Sequence, residues 1–225
     1  MTICHVDFET KCILDLKTRG LDRYSKKAEV LMLGWAFDED DVQIWEPRFG
    51  PLPKEILAAI KSDCTLVAWN SGFERAIFKH VLGIDIPIDH WLDPSVYART
   101  LSLPGSLQST SDILGLGDQG KDEDGKRLIK LFCEPASMGG ELTLSDITEP
   151  YFREPEKHLE DWEKFKEYCR QDVRAERKIL KDLKQFAPPE IERRVWCLDQ
   201  RINETGIPVN REFVKKALTL AERSS

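Results

Sequence analysis

The sequence predicts an α/β fold, a mixed sheet covered by helices, with an antiparallel hairpin in the sheet. Three observations lead there. A short apolar run from Ile3 ends in charge at Asp7, which suits a buried strand that delivers its last side chains to a site. The runs Val30 to Phe37 and Val42 to Trp45 flank the acidic turn Asp38 to Asp41 and read as a hairpin. Strand-to-helix alternation then gives way to helical spacing alone in the second half of the chain.

Taken in order, Pro53 to Ile60 has helical composition, and Thr65 to Trp69 reads as a buried strand. Phe73, Ile77, Phe78 and Val81 share one helical face. Strand signals fade from Asp93 onward, where Leu103-Pro104-Gly105 and Leu114 to Gly117 punctuate helical segments. The polar stretch Asp118 to Lys126 predicts a mobile loop, and Cys133 to Pro155 predicts irregular structure. Leu159 to Phe186 reads as one long helix, with Trp162, Phe165, Cys169, Val173, Leu180 and Leu183 close to a 3.6-residue period. Pro188-Pro189 breaks the pattern. A second amphipathic helix follows on Ile191, Val195, Leu198 and Ile202, ending at Gly206 and Pro208, and Asn210 caps a third. An amphipathic pair of this kind needs a further domain to cover it.

A chain of 225 residues with 41% apolar content can bury one substantial core plus a small appendage. The start, Met1 to Asp7, lacks the basic and apolar regions of a signal peptide, and no apolar stretch is long enough to span a bilayer, so the cytoplasm is the expected compartment. Six scattered cysteines without a CxxC pair predict reduced, mostly buried thiols rather than a zinc ribbon or disulfide framework. The net charge of -7 argues against a broad grip on duplex nucleic acid. If phosphates are the substrate, cations must reverse the field locally and a partner must supply affinity.

The chemistry is carried by acids. Asp7 and Glu9, one residue apart on an extended chain, point to the same face and can share a cation. Tyr168 and Asp172 lie one helical turn apart, and Glu74 follows Trp69-Asn70-Ser71-Gly72-Phe73 at a strand-to-helix junction. Taken singly each has a bland reading: Asp-x-Glu as a solvated turn, Asp172 as a surface acid beside a flanking tyrosine, Glu74 as a favourable charge at a helix start. Taken together, carboxylates are costly to cluster unless cations neutralise them, which predicts Mg2+ or Mn2+ chemistry on a phosphate backbone.

The order Asp7-Phe8-Glu9-Thr10, then Ala68 to Glu74, then Tyr168-Cys169-Arg170-Gln171-Asp172 resembles the three exonuclease motifs of the DEDD superfamily, in its tyrosine branch. More narrowly, with Leu103 to Leu107 and Gly125 to Ile129, the chain resembles the proofreading domain of bacteriophage family A, polymerase I-like, DNA polymerases over nearly its whole length. Val195 to Val209 resembles the segment leading into that family's polymerase region.

The resemblance implies an RNase H-like (DnaQ-like) exonuclease domain over residues 1–187 and a helical segment, 188–225, leading toward a polymerase region. The expected activity is metal-dependent 3'-5' removal of nucleoside 5'-monophosphates from single-stranded or frayed DNA 3' ends, in the cytoplasm of a bacterial host. It implies that Asp7, Glu9 and Asp172 hold one divalent ion, that Asp7 also reaches a second which Glu74 helps place, and that Tyr168 aligns the attacking water. Glu74 stands where the family more often has Asp, one methylene shorter. Alternatives left open are an RNase D-like RNA 3'-end exonuclease and a non-catalytic module of a polymerase. The polymerase's own catalytic motifs are not recognisable, so the chain reads either as a piece of a longer protein or as a standalone relative.

For the substrate, Thr10 offers an amide and hydroxyl to the terminal nucleotide, Asn70 lies in the second motif, and Phe73 either stacks on a base or joins the core. Lys121, Lys126, Arg127 and Lys130 read as a basic track or a solvated helix face. Trp35, Trp45 and Trp69 are expected in the core, and Asp93 is expected to cap a helix rather than bind metal.

Overall fold

A computed structural model describes residues 2–116, 122–136 and 151–224. It has two compact units, Met1–Pro188 and Pro189–Ser225.

The first unit is built on a five-stranded sheet: β1 (Ile3–Lys11), β2 (Glu29–Phe37), β3 (Gln43–Trp45), β4 (Thr65–Val67) and β5 (Trp91–Leu92). Its strand order is β3-β2-β1-β4-β5. β1 pairs antiparallel with β2 and parallel with β4, so β2 alone runs against the others. That is a mixed sheet flanked by helices, with the acidic hairpin β2-β3 as the sequence predicts.

Two short helices, α1 (Leu16–Arg19) and α2 (Leu21–Ser25), join β1 to β2, and α3 (Lys54–Ile60) precedes β4. α4 (Gly72–His80) follows β4 and α5 (Pro94–Thr100) follows β5, with Asp93 capping α5 by accepting from the Ser95 amide. α6 (Leu107–Ile113), α7 (Asp122–Phe132) and α8 (Leu159–Leu183) complete the unit, with a 3-10 turn over Lys184–Phe186 closing α8.

β1 is central, and its alternation divides the interior. Phe8 points toward α4, its ring 4.9 Å edge-on from Phe78, which in turn lies 5.9 Å from Trp91. The opposite face, carrying His5, Asp7 and Glu9, meets α8. There α8 packs through Trp162, Phe165 and Cys169 on Met32, Leu128 and Phe132. Gly34 allows this approach: a Cβ at that position would lie 2.9 Å from Cys169 Sγ and 3.1 Å from Val173 Cγ2.

Several expectations need correction. Residues 122–126 are helical rather than loop, because Leu128 and Phe132 commit α7 to the core; 118–121 lie outside the described residues. Of Cys133 to Pro155, residues 137–150 also lie outside them. Trp35, Trp45 and Trp69 are only half-buried, whereas Trp91 and Trp162 fill the core. Trp45 and Trp69 explain why: each spends its indole N–H on a surface loop, bonding Gly50 O at 3.1 Å and Gly105 O at 3.0 Å.

The second unit comprises α9 (Glu190–Thr205) and α10 (Arg211–Ser224). Gly206, at φ 69, ends α9, and Asn210 Oδ1 caps α10 on the Phe213 amide at 3.0 Å. The apolar stripe Ile191, Val195, Leu198 and Ile202 on α9 is exposed.

Candidate active site

β1 and α8 build the site between them. On β1 the period of two places His5, Asp7 and Glu9 on one face. On α8 the spacing of four places Tyr168, Asp172 and Glu176 on one face. The two rows meet: one carboxylate oxygen each from Asp7, Glu9 and Asp172 lie within 4.8 Å of one another. The β1-β2 register shifts between Glu9 and Thr10, a bulge beside the acids that breaks the regular ladder where side chains must converge.

Glu74 reaches the same strand from the other side. It starts α4, is 2% exposed, and accepts hydrogen bonds from the Phe8 amide and its own. Its Oε2 is buried without a hydrogen-bond partner among the described residues. Asp7 is the main charged neighbour acting on Glu74.

The electrostatics are those of a site holding too much negative charge for its burial. Desolvation pushes the Asp7 carboxyl up to about 6, with Glu176 adding to the rise and a hydrogen bond from Cys169 opposing it. Desolvation drives Glu9 well above the usual carboxylate range, and Asp7, Asp172 and Glu74 raise it further. Asp172 is raised by desolvation and by Asp7, while the Tyr168 hydroxyl, donating to it, partly offsets this. Tyr168 itself is held far above the ordinary phenol range by burial and then by Asp172, Glu9 and Asp7.

Two thiols complete the surroundings. Cys169 Sγ lies 3.7 Å from both Asp7 O and Asp7 Oδ2, and Cys133 Sγ lies 4.0 Å from Glu9 Oε2. Both are weak donors to acids that have few others. Sequence reasoning treated Cys169 as core and did not single out Cys133, His5 or Glu176. His5 and Glu176 had a signal: each continues its element's periodicity by one repeat beyond the acids.

The donor set suits hard divalent cations. All four groups are carboxylates, the ligand type of Mg2+ and Mn2+, and the orphaned Glu74 oxygen and mutually raised acids are what a cation would relieve.

The residues expected to meet substrate sit beside the acids in sequence but are differently engaged. The Thr10 hydroxyl is buried against Tyr24 Oη at 2.8 Å. Asn70 is exposed at φ 57, and its Oδ1 accepts from Arg99 Nη2 at 2.6 Å and from Ser95 Oγ at 3.2 Å. Phe73 is half-buried, its ring 6.0 Å from Tyr24. Arg127 is tied to Asp161 at 2.8 Å and Asp124 at 3.4 Å, which fits a solvated helix face; Lys121 lies outside the described residues.

No protein-family model matches the chain. It is 37% identical to a DNA polymerase of Bacillus phage SP02 over 231 aligned residues, which take in 99% of this chain. It spans about a third of that polymerase's length, 34%. Among solved structures it is similar to RNase D of Escherichia coli, an exoribonuclease involved in structured RNA processing, with a TM-score of 0.46 and 16% identity over 92% of this chain and 46% of that one. Among the described residues, no helix is long and apolar enough to cross a membrane.

Proposed function

We propose that the chain is a metal-dependent 3'-5' exodeoxyribonuclease, removing nucleoside 5'-monophosphates from single-stranded or frayed DNA 3' ends and proofreading for a family A DNA polymerase. The observation that carries this reading is the convergence of Asp7, Glu9 and Asp172 within 4.8 Å, from elements 165 residues apart in sequence (172 minus 7). The similarity to a phage DNA polymerase supports the choice of DNA and of a polymerase as partner. In this reading the chain works in the bacterial cytoplasm, where that polymerase would copy DNA.

Asp7, Glu9 and Asp172 would hold one divalent ion, Mg2+ or Mn2+, and Asp7 with Glu74 a second. When bound, such ions lower the pKa of water and stabilise charge on the attacking and leaving oxygens. The protein's own groups do the positioning. Asp172 is oriented by the Tyr168 hydroxyl, and Asp7 by the Cys169 thiol. Burial and the neighbouring acids favour the phenol form of Tyr168, which suits it to orient water by hydrogen bonding. Asn70, Phe73 and the Thr10 backbone, close to the acids in sequence, would meet the terminal nucleotide. A splayed strand is required to reach acids this buried, which favours mispaired ends because they unpair at less cost.

The net charge of -7 makes isolated binding weak, so the polymerase would supply most of the affinity. The test is mononucleotide release from end-labelled single-stranded DNA during a Mn2+ titration, with an RNA oligonucleotide of the same sequence in parallel. Faster release from DNA supports the proposal. Faster release from RNA replaces it with an RNA 3'-end nuclease, and no release in any metal replaces it with a bracing module.

A further inference from the structure

α7 lies against the ring of Tyr168, and the contact is made by a glycine. Gly125 is buried in α7, and a Cβ built there would fall 2.5 Å from Tyr168 Cε2, 3.0 Å from Cδ2 and 3.2 Å from Cζ. No real side chain occupies such a space, and the atoms in the way belong to a rigid ring rather than to the end of a flexible chain.

The ring is also held in a stack. Phe132, Phe165 and Tyr168 form a ladder of nearly parallel rings: Phe132 and Phe165 at 5.6 Å and 18°, Phe165 and Tyr168 at 6.1 Å and 17°. Phe132 and Phe165 are fully buried, and Trp162 packs edge-on against both, at 4.9 Å on Phe132 and 5.9 Å on Phe165. The ladder runs from the core to the site. Its last rung is Tyr168, whose hydroxyl donates to Asp172.

We infer that Gly125 is a positioning residue for Tyr168: the bare α7 backbone presses the ring against the Phe165 stack and so fixes where the phenol oxygen stands over Asp172. This rests on the reading of Tyr168 as the group that orients water, and it extends that reading to a residue with no chemistry of its own. Glycine is otherwise a poor choice within a helix, here the first turn of α7, because it weakens the helix relative to alanine. A helix that keeps glycine where only a ring would be touched has a geometric reason to do so.

The experiment compares Gly125→Ala, Tyr168→Phe and the double variant with the parent protein, using single-stranded DNA and saturating Mg2+ or Mn2+, alongside a crystal structure of Gly125→Ala. We expect Gly125→Ala to lower kcat by about tenfold or more, in line with the sensitivity of catalysis to displacements of an ångström or less. KM for DNA and the half-saturating metal concentration should change less than about twofold, since the acids are untouched. In the Tyr168→Phe background the same substitution should cost little. The crystal structure should show the ring swung off Phe165 and the phenol oxygen drawn away from Asp172.

A Gly125→Ala structure with the ring and its Asp172 hydrogen bond unmoved overturns the inference whether or not the protein cuts DNA. So does an equal loss of kcat in the parent and Tyr168→Phe backgrounds, which would mean that Gly125 acts through the fold or the metal-binding acids. If the parent itself releases no mononucleotide, the nuclease reading fails while the structural arm still decides the packing claim.

Discussion

His5 Nδ1 and Glu176 Oε2 lie 2.7 Å apart in the interior, each residue 3% exposed, two residues before Asp7 on β1 and one turn after Asp172 on α8. The pair bolts the strand to the helix directly beneath the acids. Glu176 Oε1 has no hydrogen-bond partner among the described residues, so His5 supplies most of the compensation for that carboxylate, with Arg177 adding a weaker favourable field. Removing one partner of a buried pair costs more than removing both. His5→Leu should therefore destabilise the protein by about 3–5 kcal/mol in urea denaturation, and His5→Leu with Glu176→Leu should recover a large part of that. A double variant no more stable than His5→Leu would show that the pair is not the relevant unit.

Asp7 is the acid that every other member of the cluster feels. Asp7→Ala should abolish mononucleotide release, a loss of about 10^3-fold or more on the scale of removing a central electrostatic group, while circular dichroism and the urea midpoint show an intact fold. A variant that cuts at the parental rate would move the site elsewhere.

The same acids make the metal-free protein sensitive to pH in an unusual direction. An acid whose folded pKa is raised contributes stability that is fully present below its unfolded value and is lost as pH rises through the folded one. For Asp7 that window runs from its ordinary 3.8 up to about 6, and Glu9, Glu74 and Asp172 are raised in the same sense. In chelator, thermal stability should fall between about pH 4 and pH 7. Mg2+ or Mn2+ at a hundredfold excess over Kd should restore about 2.7 kcal/mol at neutral pH, read as a rise in Tm. Asp7→Asn should be more stable than the parent in chelator at pH 7.5 and should lose most of the metal-induced rise.

Gly34 faces Cys169 and Val173 as Gly125 faces Tyr168, but the consequence should differ. Gly34 is the cross-strand partner of Asp7, so a methyl there pushes α8 away from the strand that carries the acids. Gly34→Ala should destabilise by about 1–3 kcal/mol and weaken metal activation, measured as a higher half-saturating Mn2+ concentration. An unchanged metal requirement would mean that α8 yields without disturbing Asp172.

What could be read from the sequence was whatever a periodicity or a charge had to explain. The alternation of β1, the acidic hairpin turn and the 3.6-residue rhythm of α8 each appear where the pattern puts them, because one face of each element is buried over most of its length. The meeting of Asp7, Glu9 and Asp172 was legible from the order of the motifs and their resemblance to a known set, since each acid taken singly has a bland reading. β5 was not: two residues, Trp91 and Leu92, hold no period, and they are a strand only because β4 offers them a parallel edge. The start of α7 was hidden by Asp122 to Lys126, whose polarity reads as loop although Gly125 is packed on Tyr168. The thiol hydrogen bonds of Cys169 and Cys133 leave no trace in spacing at all, since cysteine reads as an ordinary small apolar residue.

β1 gives its two faces to incompatible neighbours, carboxylates on one and Val6 and Phe8 on the other. Sliding the strand by a single residue would exchange them, thrusting two carboxylates among Phe78 and its aromatic neighbours and leaving grease where ions should gather. Misalignment is thus penalised twice over, and a molecule that folds at all does so with its chemistry already in place.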